Sequence, residues 1–130
     1  MLFRSVPEEN QTTTLSQKLS VNRLRIADQS GDLINEIPVG QSVNLESTVK
    51  NNAAKNQKFI YIVLIKDKDG ITVLISWLNR EVAQSETVDV ELPWIPDRAG
   101  QYTIDIFLWK SMKNPIPLSS KPFTSFVSVT

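Results

Sequence analysis

The segment Trp94–Lys110 (WIPDRAGQYTIDIFLWK) constrains the fold more than any other part of the chain. A turn containing Pro96 and Gly100 leads into a run in which the side chains alternate in type. Tyr102, Ile104, Ile106 and Leu108 share one parity, and Thr103, Asp105, Phe107 and Trp109 share the other. Because successive side chains of a β-strand point to opposite sides, this alternation predicts a strand with two different faces.

Other segments of strand length have the same character, and turn residues separate them. We predict strands at Leu19–Ala27, Ser42–Lys50, Lys58–Lys66, Ile71–Leu78, Glu86–Leu92, Gln101–Lys110 and Phe123–Thr130, and a short edge segment at Leu33–Val39. Turns recur every ~8–12 residues and no amphipathic helix is evident, which is typical of an all-β domain. Seven or eight such strands can bury their apolar faces by packing as two antiparallel sheets.

Three of these strands have distinctive patterns. The apolar positions of Leu19–Ala27 change parity, which suggests a bulge or a crossing between sheets. The strand Lys58–Lys66 is apolar on both faces. We expect Pro93 to end the strand Glu86–Leu92, because proline cannot donate a hydrogen bond to a neighbouring strand.

The absence of two residue types excludes much chemistry. The chain has no cysteine and no histidine. Disulfides, thiol nucleophiles, thiolate metal sites and imidazole catalysis are therefore excluded. The four glycines stand singly, so there is no glycine-rich phosphate loop. We predict no catalytic residues and no cofactor, and we do not expect an enzyme.

The charge and hydropathy patterns limit the partners. Fourteen Lys and Arg residues balance fourteen Asp and Glu residues. No basic stripe could follow a phosphate backbone, so we expect no nucleic acid partner. The longest apolar run, Phe59–Ile65, is far shorter than the roughly 20 residues of a membrane helix, so we expect no membrane insertion.

The N-terminal segment differs in composition from the rest of the chain. We expect Met1–Lys18, which is polar and without period, to be a leader or linker, and residues 19–130 to form one domain. The sequon at Asn10 is short enough to occur by chance. The N-terminus lacks signal-peptide architecture. Met1 therefore begins either a cytoplasmic protein or a domain excised from an extracellular or cell-surface protein.

Several motifs resemble those of a known family of sandwiches. The segment from Asp97 to Ile104 is similar to the D-x-A/G-x-x-Y-x-C region of immunoglobulin-like domains, with one additional residue, and Gly40–Ser47 is similar to their strand B. The pattern of Asp67 and Gly70, then Trp94–Asp97 and Gly100–Tyr102, resembles the cell-adhesion-related CARDB domains. It also resembles the immunoglobulin-like repeats of archaeal surface-layer and other envelope proteins. The resemblance implies an immunoglobulin-like (fibronectin-III/CARDB-like) antiparallel β-sandwich.

The resemblance also implies structural roles for a few residues. Tyr102 and Asp97 would form a tyrosine corner, in which the tyrosine hydroxyl bonds to the backbone a few residues upstream. Ser47 and Ile104 stand where the two cysteines of the family would lie, so a small residue and an apolar one replace the disulfide.

Asp67 and Asp69 offer two carboxylates in a turn. Calcium takes six to eight oxygen ligands. We therefore favour a solvated hairpin turn over a metal site, and predict no metal.

The most informative surface feature is an apolar outer face on one sheet. If Ile104 and Ile106 are in the core, the side chains of the opposite parity on this strand, which include Phe107 and Trp109, point outward. This predicts an outer face composed of Ile60, Ile62, Leu64, Leu74, Phe107 and Trp109. Outer faces of antiparallel sheets are usually polar, and large apolar patches usually mark interfaces. We favour contact with another domain or subunit over cover by the N-terminal segment or by the loop Ser111–Pro122.

Three functional hypotheses follow. The first is a non-catalytic structural or adhesion module that contacts protein, either as a cell-envelope repeat or as a self-assembling homo-oligomer. The second is an accessory domain that recognises a glycan or peptide through its loops or exposed aromatic face. The proline-containing loop Ser111–Pro122 would suit such binding, or would be only a stiff connection. The third is strand exchange through Met1–Val21.

Overall fold

The computed structural model describes residues 18–130, which contain eight β-strands and no helix. The strands are β1 (Leu19–Val21), β2 (Arg25–Ala27), β3 (Val43–Asn51), β4 (Gln57–Asp67), β5 (Thr72–Val82), β6 (Thr87–Trp94), β7 (Gly100–Trp109) and β8 (Phe123–Val129). The all-β prediction is confirmed. The segment that carries the strongest alternation supplies β7, and its buried and half-buried residues alternate along the strand.

The strands form two antiparallel sheets of four strands each. In the first sheet, β3 is central, with β1 and β2 along one edge and β6 along the other. In the second sheet the order is β5-β4-β7-β8. The strand that is apolar on both faces, β4, lies between β5 and β7 in the second sheet. The two-layer antiparallel architecture is therefore confirmed.

The core lies between the sheets and takes one parity from each long strand. Its most buried side chains include Leu45 and Val49 of β3, Phe59, Tyr61, Val63 and Ile65 of β4, and Ile104, Ile106 and Leu108 of β7. Burial of a Leu, Ile or Phe side chain contributes roughly 1.5–3 kcal/mol. Apolar burial of this kind is what holds two sheets together in a chain without disulfides.

The parity change in the first predicted strand is a bulge. Val21 pairs with Val49 and Arg25 pairs with Glu46, so four steps along the N-terminal segment match three steps along β3. The additional residue divides the segment into β1 and β2, which lie in succession on the same edge of β3. The crossing to the other sheet occurs later, where Ile37 forms a parallel bridge with Val129 at the end of β8.

Two strands extend further than the sequence predicted. The chain from Asn79 to Val82, predicted as a turn, continues β5 opposite β4. The prediction that Pro93 ends its strand is also wrong, because Pro93 pairs with Asn44 and β6 continues to Trp94. Because β6 pairs with β3 alone among the described strands, a missing N–H on its free side costs no ladder hydrogen bond.

The loop Ser111–Pro122 closes one end of the sandwich. Trp109 forms a bridge with Pro117, and the N–H of Leu118 donates to the carbonyl of Leu108 at 2.8 Å. Leu118 is buried in the core, and its carbonyl accepts a 2.8 Å hydrogen bond from the N–H of Leu19. The middle of this loop therefore lies beside β7 in the second sheet.

Some predictions concern residues that the structure does not describe. The predicted leader, apart from Lys18, the sequon at Asn10 and most of the strand-exchange segment lie outside residues 18–130. No helix that is long and apolar enough to cross a bilayer occurs within the described range.

Candidate functional site

The outer side of the second sheet carries an apolar surface that crosses three strands. Ile62 of β4 lies between Trp77 of β5 and Phe107 of β7, and Leu64 lies beside Ile75. We call the following residues the outer patch: Ile60, Ile62, Leu64, Val73, Ile75, Trp77, Phe107 and Trp109. The rings of Phe107 and Trp109 are 6.0 Å apart with an interplanar angle of 55°. Large side chains on neighbouring strands thus form one continuous surface.

Exposure within the outer patch is uneven. Ile60 and Ile62 are only 1% and 3% exposed, so they support the patch without offering contact area. Leu64, Phe107 and Trp109 are half-buried. The most open members are on β5, where Ile75 is 53% exposed and Trp77 is 49% exposed.

The prediction that Leu74 faces outward is wrong. Leu74 pairs with Ile65 and packs against the core, as does Leu78. The outward residues of β5 are Val73, Ile75 and Trp77. Their alternation is evident in the sequence, but both parities of β4 are apolar, so the pattern cannot show which parity of β5 faces the core.

The outer patch has a polar boundary at one corner of the sheet. The ammonium of Lys66 lies 3.6 Å from the carboxylate of Asp105, and the Thr124 hydroxyl donates to that carboxylate at 2.7 Å. Beyond this corner, Phe126 of β8 is 77% exposed opposite Thr103. This ion pair lies at the border of the outer patch, so the apolar surface between β5 and β7 is uninterrupted.

The outer face of the first sheet is polar instead. Arg25 lies 4.0 Å from Glu46 and donates to the Thr48 hydroxyl at 3.3 Å, and that hydroxyl donates to Asp89 at 2.8 Å. Glu91 is also exposed there. This is the usual surface of a solvated antiparallel sheet, so the apolar surface of the second sheet is not a general property of the molecule.

The predicted corner residues lie in the turn between β6 and β7. The Tyr102 hydroxyl donates to the carbonyl of Arg98 at 2.8 Å, four residues upstream. The buried Trp94 ring meets the Tyr102 ring edge to face, with centroids 5.3 Å apart. Asp97 is exposed, and its carboxylate makes no hydrogen bond or ion pair within residues 18–130. Tyr102 thus has the geometry of a corner tyrosine, and Asp97 contributes nothing visible to it.

Ser47 has a partner that the sequence did not reveal. Its hydroxyl shares a 2.5 Å hydrogen bond with the Tyr61 hydroxyl, and both residues are fully buried between the sheets. Burial raises the pKa of Tyr61 above its ordinary value of 10.0. The hydrogen bond with Ser47 and the positive charge of Arg25 oppose this rise. A polar contact between β3 and β4 therefore lies where the family's first cysteine would be.

Asn51, at the end of β3, is the second buried polar residue that sequence patterns missed. Its amide nitrogen donates to the carbonyls of Lys55 at 2.8 Å and Val82 at 3.1 Å, and its amide oxygen accepts from the N–H of Ala53 at 2.9 Å. One side chain therefore fixes both the loop after β3 and the end of β5. A polar residue at an inward parity was the available signal.

An open groove of about 1080 Å³ lies at the hairpin end of the sandwich. Its walls are the β4–β5 turn and the β6–β7 turn, with Ile71 and Ile95 exposed on either side. The Asp67 carboxylate accepts hydrogen bonds from the N–H groups of Asp69 and Ile71, at 2.9 and 3.0 Å. Side-chain carboxylates used in this way stabilise a turn. No cluster of three metal-binding side chains occurs in residues 18–130.

The architecture and the two contrasting outer faces define an immunoglobulin-like β-sandwich module. A family model described as S-layer A-like matches residues 12–129. The chain therefore belongs to the S-layer A-like family. Membership indicates a surface structural module and suggests a cell-surface location.

Solved structures with the same fold are distant in sequence. The C-terminal domain of Wzt matches with a TM-score of 0.69 and 15% identity, over 87% of this chain and 74% of that one. The CARDB domain of the PF1109 protein from Pyrococcus furiosus, solved in complex with di-metal ions, matches with a TM-score of 0.58 and 19% identity, over 86% and 87%. These matches confirm the predicted CARDB-like fold.

A third match concerns only part of a larger enzyme. A β-glucosidase from Erythrobacter marinus matches with a TM-score of 0.61 and 10% identity, over 86% of this chain but 15% of that enzyme. Surface-layer-like and CARDB domains are generally non-catalytic. No curated protein matches the sequence.

Proposed function

We propose that this chain is a non-catalytic structural module of a cell-surface layer, which assembles with further copies through the outer patch. The observation that supports the proposal is the contrast between the two outer faces. The first sheet presents charged side chains, whereas the second presents Val73, Ile75 and Trp77. Contiguous apolar surface of this kind is rare on monomers and typical of contact surfaces.

The composition of the outer patch suits protein contact. Aromatic residues are enriched at the centres of interfaces, and charged residues are depleted there. Trp77, Phe107 and Trp109 occupy the patch, while the nearest ion pair, Lys66 with Asp105, lies at its border. Phe107 and Trp109 are half-buried and already restrained by the neighbouring strands, so their side chains would lose little conformational entropy on binding.

The proposal extends to the organisation of the chain. Residues 19–130 would form the module, and Met1–Lys18 would be a leader or linker. A surface layer consists of repeated contacts between protein modules, so the proposed function requires a protein-contact surface rather than a ligand-binding pocket.

A glycan-binding or peptide-binding role is the second candidate, and one observation favours it. Trp77 presents about half of its surface to solvent, and exposed aromatic rings can stack on sugars. The two candidates differ in what happens to this ring. Assembly would bury it against protein, whereas ligand binding would leave the chain monomeric and quench its fluorescence upon titration with the ligand.

Sedimentation velocity over a wide concentration range tests the assembly proposal. We expect the wild type to self-associate and Trp77→Ser, which removes an exposed ring of the outer patch, to dissociate at concentrations where the wild type is assembled. Glu91→Ser, on the polar outer face of the first sheet, is the control and should assemble normally. A wild type that remains monomeric at every concentration, or equal association of all three proteins, would contradict the proposal.

A further inference from the structure

Within residues 18–130, β5 provides the longer open edge of the second sheet, since it has 11 residues and β8 has seven. Among residues 18–130, β5 pairs with β4 alone, although it is 11 residues long. At roughly 3.4 Å per residue this edge spans about 37 Å. Its outward backbone N–H and C=O groups form a template for strand pairing.

The other sheet edges carry features that oppose pairing. The β1–β2 edge is short and is interrupted by the bulge after Val21. The β6 edge contains Pro93 and the acidic residues Asp89 and Glu91. The end of β8 is occupied by the bridge from Ile37 to Val129. Proline, charge, bulges and short length are the means by which natural sheets prevent edge association.

The β5 edge has few such features. The segment Ile71–Asn79 (ITVLISWLN) contains no charged residue and no proline. Its one irregularity is an additional residue, Val73, opposite the step from Ile65 to Lys66. The strand is regular from Leu74 onward. A long apolar edge without protection is expected to aggregate unless it has a partner.

We propose that β5 pairs antiparallel with β5 of a second copy, around a two-fold axis at Ser76. The partner must be an extended strand, and the sequence of β5 is complementary to itself in this register. Ile75 of one copy lies opposite Trp77 of the other, twice, on the outer face. Leu74 lies opposite Leu78, twice, on the core side. Centring the pair on Trp77 would instead place Leu74 opposite Arg80 and Val73 opposite Glu81.

The pairing joins the two second sheets into one sheet of eight strands. It also joins the two outer patches at their most exposed residues, because Ile75 and Trp77 lie on the strand that pairs. Arg80 and Glu81 of each copy come beside the partner's β4–β5 turn, which carries charges of both signs at Lys68 and Asp69. This inference rests on the proposed assembly function, and it names the partner and the register.

A lysine substitution on β5 tests whether the exposed part of the outer patch is buried on association, and the cysteine variants described next separate edge pairing from stacking of faces. Ile75→Lys adds a charge on β5, and Phe126→Lys adds the same charge to the outer face at the opposite edge, on β8. Two lost Ile–Trp pairs and a new like-charge contact should raise the dimer dissociation constant at least about tenfold in Ile75→Lys. Phe126→Lys should leave it unchanged.

A cysteine pair tests the register directly, because the wild type contains no cysteine. Directly opposed residues of antiparallel strands have Cα atoms about 4.5–5.5 Å apart, within the range that a disulfide spans. Ser76→Cys should therefore form a covalent dimer on mild oxidation. Ser125→Cys is the matched control, since Ser125 is also half-buried and core-facing on an edge strand. It should remain monomeric on a denaturing non-reducing gel.

The outcomes separate this inference from the proposed function. Selective dissociation by Ile75→Lys together with selective cross-linking of Ser76→Cys supports edge pairing. If the wild type and Ile75→Lys assemble equally while Trp77→Ser dissociates, edge pairing is wrong and the assembly function stands. Equal cross-linking of the two cysteine variants also overturns it. A wild type that is monomeric at every concentration overturns both.

Discussion

The buried contact between Ser47 and Tyr61 predicts an unusual pattern of stabilities. Tyr61→Phe leaves the Ser47 hydroxyl buried without its partner, and Ser47→Ala does the same to the Tyr61 hydroxyl. Both residues are 0% exposed, so water cannot replace the lost group. Leaving one buried polar group unpaired costs about 1–3 kcal/mol, whereas removing both partners together is nearly neutral. The double variant should therefore be more stable than the sum of the single losses predicts, by about 2–6 kcal/mol.

Urea unfolding followed by tryptophan fluorescence measures these values. The four proteins of the cycle should unfold with the same denaturant slope and different midpoints, which gives the coupling free energy between Ser47 and Tyr61. If each single variant loses less than about 0.5 kcal/mol and the losses add, the hydroxyls are not a buried pair and the reasoning fails.

Three further predictions concern the buried polar groups. Tyr102→Phe should lower the free energy of unfolding by about 1 kcal/mol in the same urea assay, because it removes the hydrogen bond to the Arg98 carbonyl but keeps the ring contact with Trp94. An unchanged urea midpoint would exclude a stabilising role for the tyrosine corner. Asn51→Ala should cost about 2–3 kcal/mol in free energy of unfolding, since backbone groups of the loop after β3 and of the end of β5 lose their partner. Asn35→Ala, at an exposed position, should change the stability by less than about 0.5 kcal/mol, and equal effects of the two substitutions would contradict this role. Because the pKa of Tyr61 is raised in the folded protein, the Tyr61 hydroxyl of the unfolded chain loses its proton at a lower pH than that of the folded chain. The contribution of Tyr61 to the free energy of unfolding is therefore complete below pH about 10 and declines as the pH rises toward the folded pKa. Urea midpoints above pH about 10 should therefore fall less steeply in Tyr61→Phe than in the wild type, and parallel curves would refute the assignment.

Much of the fold was predictable because strand pairing follows local patterns. The alternation in β7 and the two apolar parities of β4 each predicted a strand. The parity change before Ala27 indicated either a bulge or a crossing between sheets, and the pairing with β3 shows that it is a bulge between β1 and β2. These features depend on which side of a strand each residue occupies, and period-two alternation encodes that side directly.

The candidate site was less predictable because both parities of its strands are apolar. Leu74 and Ile75 are equally apolar, and only the pairing with β4 shows that Leu74 faces the core. Trp77 was for the same reason not among the predicted contact residues. The continuation of β6 through Pro93 depends on the position of β6 at a sheet edge, which no local pattern shows.

The sequence by itself determined the class of the protein: strand length, alternation, turn residues and the absence of cysteine and histidine lead to a two-sheet domain without thiol or imidazole chemistry. Tertiary structure alone decided how buried polar residues are used and which edge is open. Ser47 meets Tyr61, and Asn51 joins two loops, only when distant strands pack. The edge of β5 is free among residues 18–130 because the sheet order places that strand last. The physical reason is that alternation is a local property of the chain, whereas partners and edges arise from contacts between strands far apart in sequence.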